Sequence, residues 1–128
     1  MKNLAFGSVS NTGRLHAQLW NETCAEVCAF APLRDKVVLN ISDGLKGCFN
    51  GGPGANPQFI CNYNTVLAGS DPVAMDRIAY DITAEKRIAE GLLKTPNPEV
   101  LAFLKMVTGL GLGIWEKDKI ELKTFNLI

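Results

Sequence analysis

Lys36-Val37-Val38-Leu39-Asn40-Ile41-Ser42-Asp43 is the stretch on which the reading of the fold turns. Its β-branched, nearly unbroken apolar first half is the pattern of a strand buried on both faces of a largely parallel sheet. Asp43-Gly44 then closes the run with turn chemistry. The following segment, Gly47 through Pro57, is rich in glycine and proline and suits neither a helix nor a central strand, so it reads as a long loop. Asn64 to Ala68 forms a second short strand, stopped by Gly69-Ser70.

On the far side of that strand, Asp71-Pro72 is a helix start. Aspartate accepts a hydrogen bond from an otherwise orphan amide, and proline at the first helical position gives up an amide that had no partner. Ala74, Met75, Ile78, Ala79, Ile82 and Ala89 share one face of a helix running to about Glu90, with Asp76, Tyr80 and Arg87 on another. A linker from Gly91 to Pro96 precedes a further helix, capped by Asn97 with Pro98 just inside and stopped by Gly109. On the near side, apolar spacing through Cys24, Ala25, Cys28 and Ala29 predicts a helix over residues 14 to 30, interrupted near Asn21. Leu4 to Val9 reads as a brief strand, and the alternation of Lys119 to Phe125 as a half-buried edge strand. The result is an α/β fold over residues 1–128, a small mixed or mostly parallel sheet flanked by helices.

Composition agrees with a globular chain. Of 128 residues 47% are hydrophobic and 20% charged, and 13 basic side chains balance 13 acidic ones. A neutral chain lacks the basic surface of a nucleic-acid binder, and no apolar run reaches the ~18 residues of a membrane span. With no signal-peptide layout and four cysteines that need not pair, a cytoplasmic protein is expected.

Five elements in order, Lys2-Asn3-Leu4, His16, Ser42-Asp43-Gly44, Gly51-Gly52-Pro53-Gly54 and Asp71-Pro72-Val73-Ala74-Met75-Asp76, resemble the family called domain of unknown function 362. The resemblance runs over roughly residues 2 to 113, through Gly109-Leu110-Gly111-Leu112-Gly113, and the Asp-Pro-Val-Ala-x-Asp string is its most specific part. Family members normally continue upstream of the Lys-Asn position. The resemblance therefore implies an incomplete version of a larger α/β domain, whose missing N-terminal segment is replaced by a partner or a second copy. Some members carry an iron–sulfur segment, which raises a redox-associated role. The cysteines here, Cys24, Cys28, Cys48 and Cys61, do not form a closely spaced ligand run, so no iron–sulfur cluster is expected and the cofactor stays unassigned.

Candidate chemistry gathers at the strand ends. The amides of Gly51, Gly52 and Gly54 can cradle an anion, although loops of this composition are more often only turns, and neither a dinucleotide nor a P-loop fingerprint is present. Asp43, where a strand meets that loop, can bind a metal, act as a general base, or simply cap a turn. Asp71 reads as a helix cap, and Asp76 as a carboxylate facing either a cleft or solvent. His16, the only histidine, joins Asp43 and Asp76 as a hard-metal or acid–base group or else stays on the surface. Cys24 and Cys28 read as core residues, and Cys48 as the thiol that reacts first. Ser42 and Ser70 lack nucleophile-elbow glycines. The expected site thus joins Asp43, Asp76, the glycine loop and His16 around a small, anionic ligand or a metal. The alternative is a non-catalytic module that acts through self-association or a protein partner.

Overall fold

The computed structural model describes every residue except Asn11, Leu15, Ala17, Gln18, Pro53 and Ile128. Along the chain come α1 (Lys2–Gly7), α2 (Trp20–Ala29), α3 (Ala31–Arg34), β1 (Asn40–Cys48), β2 (Ile60–Gly69), α4 (Pro72–Ala89) and α5 (Ala102–Gly109). Single 3-10 turns sit at Thr12–Arg14, Pro57–Phe59, Pro98–Leu101 and Lys117–Lys119. The architecture is a mixed α/β fold in which α4 lies between a two-stranded sheet and a cluster of helices.

The sheet is antiparallel, not parallel. A parallel pair needs a crossover of a dozen or more residues that carries the chain back over the sheet, usually in a helix. The connection from Cys48 to Ile60 contains only loop and one 3-10 turn, so β2 returns directly beside β1. Nor is the apolar run buried on both faces. Val37, Val38 and Leu39 precede β1, and Leu39 and Ile41 are exposed. The strand runs on through Asp43-Gly44 to Cys48, so the expected terminator lies inside it.

The glycines explain that continuation. A Cβ on Gly44 would stand 2.8 Å from the Thr65 carbonyl oxygen, and one on Gly47 would stand 3.0 Å from the Tyr63 ring. Between the pairs Gly44↔Thr65 and Lys46↔Asn62, Leu45 faces two residues of β2, Tyr63 and Asn64. That is a bulge, and Asn64 takes the extra turn with φ 51°.

The helices pack around a core of Met1, Ala5, Phe6, Cys24, Ala25, Cys28, Val73, Phe103, Leu104 and Val107. Of residues 4–9, expected as a strand, 4–7 form the greater part of α1, whose Ala5 and Phe6 are buried, and Ser8 caps its end. The segment Leu4-Ala5-Phe6 has no β-branched residue, and its leucine and alanine favour helix once a helical neighbour covers them. The helix expected over 14–30 is shorter, Trp20–Ala29, preceded by a separate 3-10 turn. Its start moves ahead of Asn21 because Trp20 packs on Phe103 of α5, ring centroids 5.6 Å apart.

Helix α4 follows the sequence closely. Asp71 caps it, accepting from the Val73 and Ala74 amides at 2.8 Å each. Its residues bury on two sides, Met75 and Ile78 toward β2 and Val73 toward the helical core. The expected cap at Asn97 forms, its side chain accepting from the Glu99 amide at 3.3 Å, but it opens the 3-10 turn Pro98–Leu101, and α5 itself begins only at Ala102. The predicted edge strand at 119–125 does not form. After the turn at Lys117–Lys119 the chain is extended and unpaired, and Ile120 and Leu122 border a cleft of about 250 Å³ along β2 and α4. Ile120 is half-buried against this cleft, whereas Leu122 and Phe125 stay largely exposed.

The segment after α5 is fastened down the length of α4. The Ile114 amide donates to the second Asp71 oxygen at 2.8 Å. Arg77, only 9% exposed, lies 5.4 Å from the centre of the Trp115 ring. Asp81 pairs with Arg77 on its own helix and with Lys117 at 2.6 Å, the latter an ion pair whose angle falls short of a hydrogen bond. Burial alone raises the Asp81 carboxyl pKa, but the two cations outweigh it and hold it below the ordinary value.

Candidate functional site

The inner face of the hairpin and the middle of α4 enclose a groove of about 200 Å³. Ser42, Gly44, Gly47, Tyr63, Thr65 and Leu67 form its sheet wall, and Ala79, Ile82 and Thr83 its helix wall. Alternation along β2 sends Tyr63, Thr65 and Leu67 to one side, and the bare backbone of Gly47 lets the Tyr63 ring lie flat against β1. Two of its hydroxyls are already committed, Thr65 donating to the Tyr63 carbonyl and Thr83 to the Ala79 carbonyl, both at 2.9 Å.

Tyr63 is different: its hydroxyl is buried near the Cys61 thiol and the Thr83 hydroxyl, yet the geometry gives it no hydrogen bond to either. Burial pushes the phenol up to about 12, the neighbouring Cys61 thiol adding to the shift and Thr83 opposing it. The hydroxyl therefore stays protonated at neutral pH, able to donate a hydrogen bond. One turn beyond Thr83, Arg87 continues the same side of α4 toward the glycine loop. It donates to Asn50 Oδ1 at 3.1 Å, while its Nε is buried without a partner. Lys86 stands 5.3 Å over the Phe49 ring and pairs with Glu90 at 2.5 Å. The base of the loop is closed by the Phe49 amide donating to Phe59 O at 2.9 Å, by the two rings stacked edge to face, and by the Cys48 thiol on the Asn50 carbonyl at 2.9 Å.

The residues singled out in the sequence fall at separate places. Asp43 borders the groove, but its carboxylate accepts the Leu45 amide at 2.8 Å, the turn-capping role, beside the bulge. Asp76 accepts from the Met1 amino group at 2.8 Å, on the helical side of α4. His16 packs on Phe6 with ring centroids 4.6 Å apart, its Nδ1 2.8 Å from the Thr12 carbonyl oxygen. Gly51, Gly52 and Gly54 are exposed in the loop, Gly51 at φ 76° against the Asn56 side chain, and Pro53 lies outside the described residues. None of His16, Asp76, Gly51, Gly52 and Gly54 lines the groove that Asp43 borders. Among the described residues no group of three His, Cys, Asp or Glu side chains is arranged to hold a metal ion.

Cys24 and Cys28 are buried in the core, the Cys28 thiol donating to the Met1 carbonyl at 3.8 Å, and the proximity of the two thiols raises the first and lowers the second. Cys48 and Cys61 are free and half-buried at the loop end of the sheet. Reasoning from sequence passed over Tyr63, Asn50 and Arg87. Two glycines three apart inside a strand pattern, Gly44 and Gly47, were the available signal, since they mark a close approach of something else to the backbone.

Residues 1–81 match the family described as Domain of unknown function (DUF362), and the chain belongs to that family. The match takes in the first five sequence elements, from Lys2 to Asp76, and ends before the glycines at 109–113. Searches among curated proteins and among solved structures returned no match. Among the described residues no helix is long and apolar enough to cross a membrane.

Proposed function

We propose that the chain binds a small ligand in the groove between the hairpin and α4, with an anionic group of the ligand at the glycine-loop end. The observation that carries this reading is the pair of buried, unpartnered donors, Tyr63 Oη in the groove and Arg87 Nε beyond it. Each unmade hydrogen bond costs about 1–3 kcal/mol in the ligand-free protein, which a ligand with acceptor oxygens recovers on binding. Arg87, whose guanidinium is in no ion pair among the described residues, supplies the positive charge that an anion needs, and the exposed Gly51, Gly52 and Gly54 stand near the same end. Because His16, Asp43 and Asp76 each have other neighbours, the ligand reading takes precedence over a metal site. Four free thiols support a cytoplasmic setting.

Thermal unfolding with inorganic phosphate, citrate and a nucleoside monophosphate tests the site. At a hundredfold excess over Kd, linkage gives about 2.7 kcal/mol, and an unfolding entropy of ~0.27 kcal/mol per kelvin for a chain this size turns that into about 10 °C. Tyr63→Phe and Arg87→Met should each reduce the rise produced by whichever ligand acts on the wild type. No rise with any of the three, or a rise that both variants retain in full, removes the groove as the site.

A further inference from the structure

We propose that the uncovered face of the β1–β2 hairpin is a self-association surface, on which two copies of this chain pack their sheets together about a two-fold axis. Helix α4 covers one face of the sheet only. On the other side Ile41, Val66 and Leu45 are 69%, 56% and 55% exposed, and Leu39, two residues before Ile41, is 57% exposed. Ala68, opposite Ile41 in the register, is exposed as well. Around Asp43, Asn64 and the Lys46–Asn62 pair, these residues put exposed apolar side chains on a rigid element, and Val66 and Ala68 also border the cleft that holds Ile120 and Leu122.

The surface area of the whole chain points the same way. A closed monomer of 13.9 kDa exposes about 6,700 Å², whereas this chain exposes 8671 Å², an excess of roughly 2,000 Å². A standard interface removes about 800 Å² from each partner, and an obligate homodimer more. The extended run after Ile120 accounts for part of the excess through Leu122, Phe125 and Leu127. The hairpin differs from that run in being a preformed, two-stranded face, which loses little conformational entropy on docking.

Charge on the face favours a second copy as the occupant. Asp43 stands opposite Val66 and Lys46 opposite Asn62, and all four are exposed. A two-fold axis passing between residues 44 and 45 sets Asp43 of each copy against Lys46 of the other, so one pair of opposite charges is satisfied twice. Such a surface is complementary to itself, as an isologous interface requires. Two sheets packed this way lie about 10 Å apart, with Ile41, Leu45 and Val66 of both copies filling the layer between them.

Sedimentation equilibrium of the full 128-residue chain at micromolar concentration tests this, with circular dichroism to verify folding. The wild type should sediment at twice 13.9 kDa. Val66→Lys and Ile41→Lys, at exposed positions, should each yield a folded monomer, and Lys46→Glu, which sets like charges together twice, should weaken the dimer about tenfold. Phe125→Lys, on the extended run, should leave it intact. A monomeric wild type overturns the proposal. So does a dimer that survives both lysine substitutions, or one that only Phe125→Lys dissociates; if Lys46→Glu has no effect, the charge-paired register falls.

Discussion

Asp71 does more than begin a helix, and replacing it separates two roles that the sequence presents as one. One oxygen accepts the Val73 and Ala74 amides and the other accepts the Ile114 amide, 43 residues on, at 2.8 Å. Losing a helix cap costs about 1 kcal/mol. Losing a hydrogen bond to a charged acceptor costs about 1.5 kcal/mol at the lower end of its range, the suitable end for a partly exposed site. Asp71→Ala should therefore cost about 2.5 kcal/mol, which at ~0.27 kcal/mol per kelvin lowers the melting temperature by roughly 9 °C. Asp71→Ser keeps a capping oxygen but has no second one to offer Ile114, so it should lose about 1.5 kcal/mol, or some 5–6 °C. Gly113→Ala reaches the same contact from the other side, since its Cβ would fall 2.1 Å from the Asp71 carboxylate. Calorimetry on the three variants gives the answer. If Asp71→Ser is as stable as the wild type and Asp71→Ala loses no more than a cap is worth, the link to Ile114 contributes nothing and the reasoning fails.

Other perturbations probe the sheet and the buried ion pair. Gly47→Ala should cost about 1–3 kcal/mol, because the new methyl meets the Tyr63 ring at 3.0 Å; denaturant unfolding with an unchanged midpoint would show that the ring gives way freely. Gly44→Ala, which meets the Thr65 carbonyl oxygen at 2.8 Å, should disturb the hairpin more, since backbone cannot yield as a side chain does. The Asp81 carboxyl titrates below its ordinary value of 3.8 when folded, so its contribution is complete above that pH and is lost as pH falls through the lowered value. Asp81→Asn should therefore flatten the acid limb of the stability curve below about pH 4, and an unaltered limb would mean that Arg77 and Lys117 do not favour the charged form.

The elements legible in the sequence are those whose cause lies within a few residues. Asp71-Pro72 starts α4 because a carboxylate and a missing amide act on the turn they belong to, and Asn97-Pro98 does the same for the following 3-10 turn. Cys24 and Cys28 share a buried helix face because helical spacing alone puts them there. The family membership was likewise visible in short, ordered strings between Lys2 and Asp76. Where a segment depends on a neighbour distant in the chain, the reading failed. Leu4-Ala5-Phe6 is a helix because α2 covers it, and the Lys119–Phe125 alternation forms no strand because no strand pairs with it.

The candidate site divides along the same line. Asp43, Asp76, His16 and the glycine loop were chosen by residue type, and composition carries no information on which of them share a neighbourhood. Asp43 bonds two residues ahead, within reach of any local argument, whereas the Met1 amino group that holds Asp76 is 75 residues away. Local chemistry thus established the helix caps and the bond from the Leu45 amide to Asp43, each from atoms within a turn of one another, and short ordered strings established the kinship of the chain. The antiparallel register, the bulge at Asn64 and the groove in which Tyr63 faces Ala79, Ile82 and Thr83 arose when β2 folded back on β1 and α4 came down across both. Long-range packing chooses among conformations that a short segment tolerates almost equally, so those features exist only in the assembled fold.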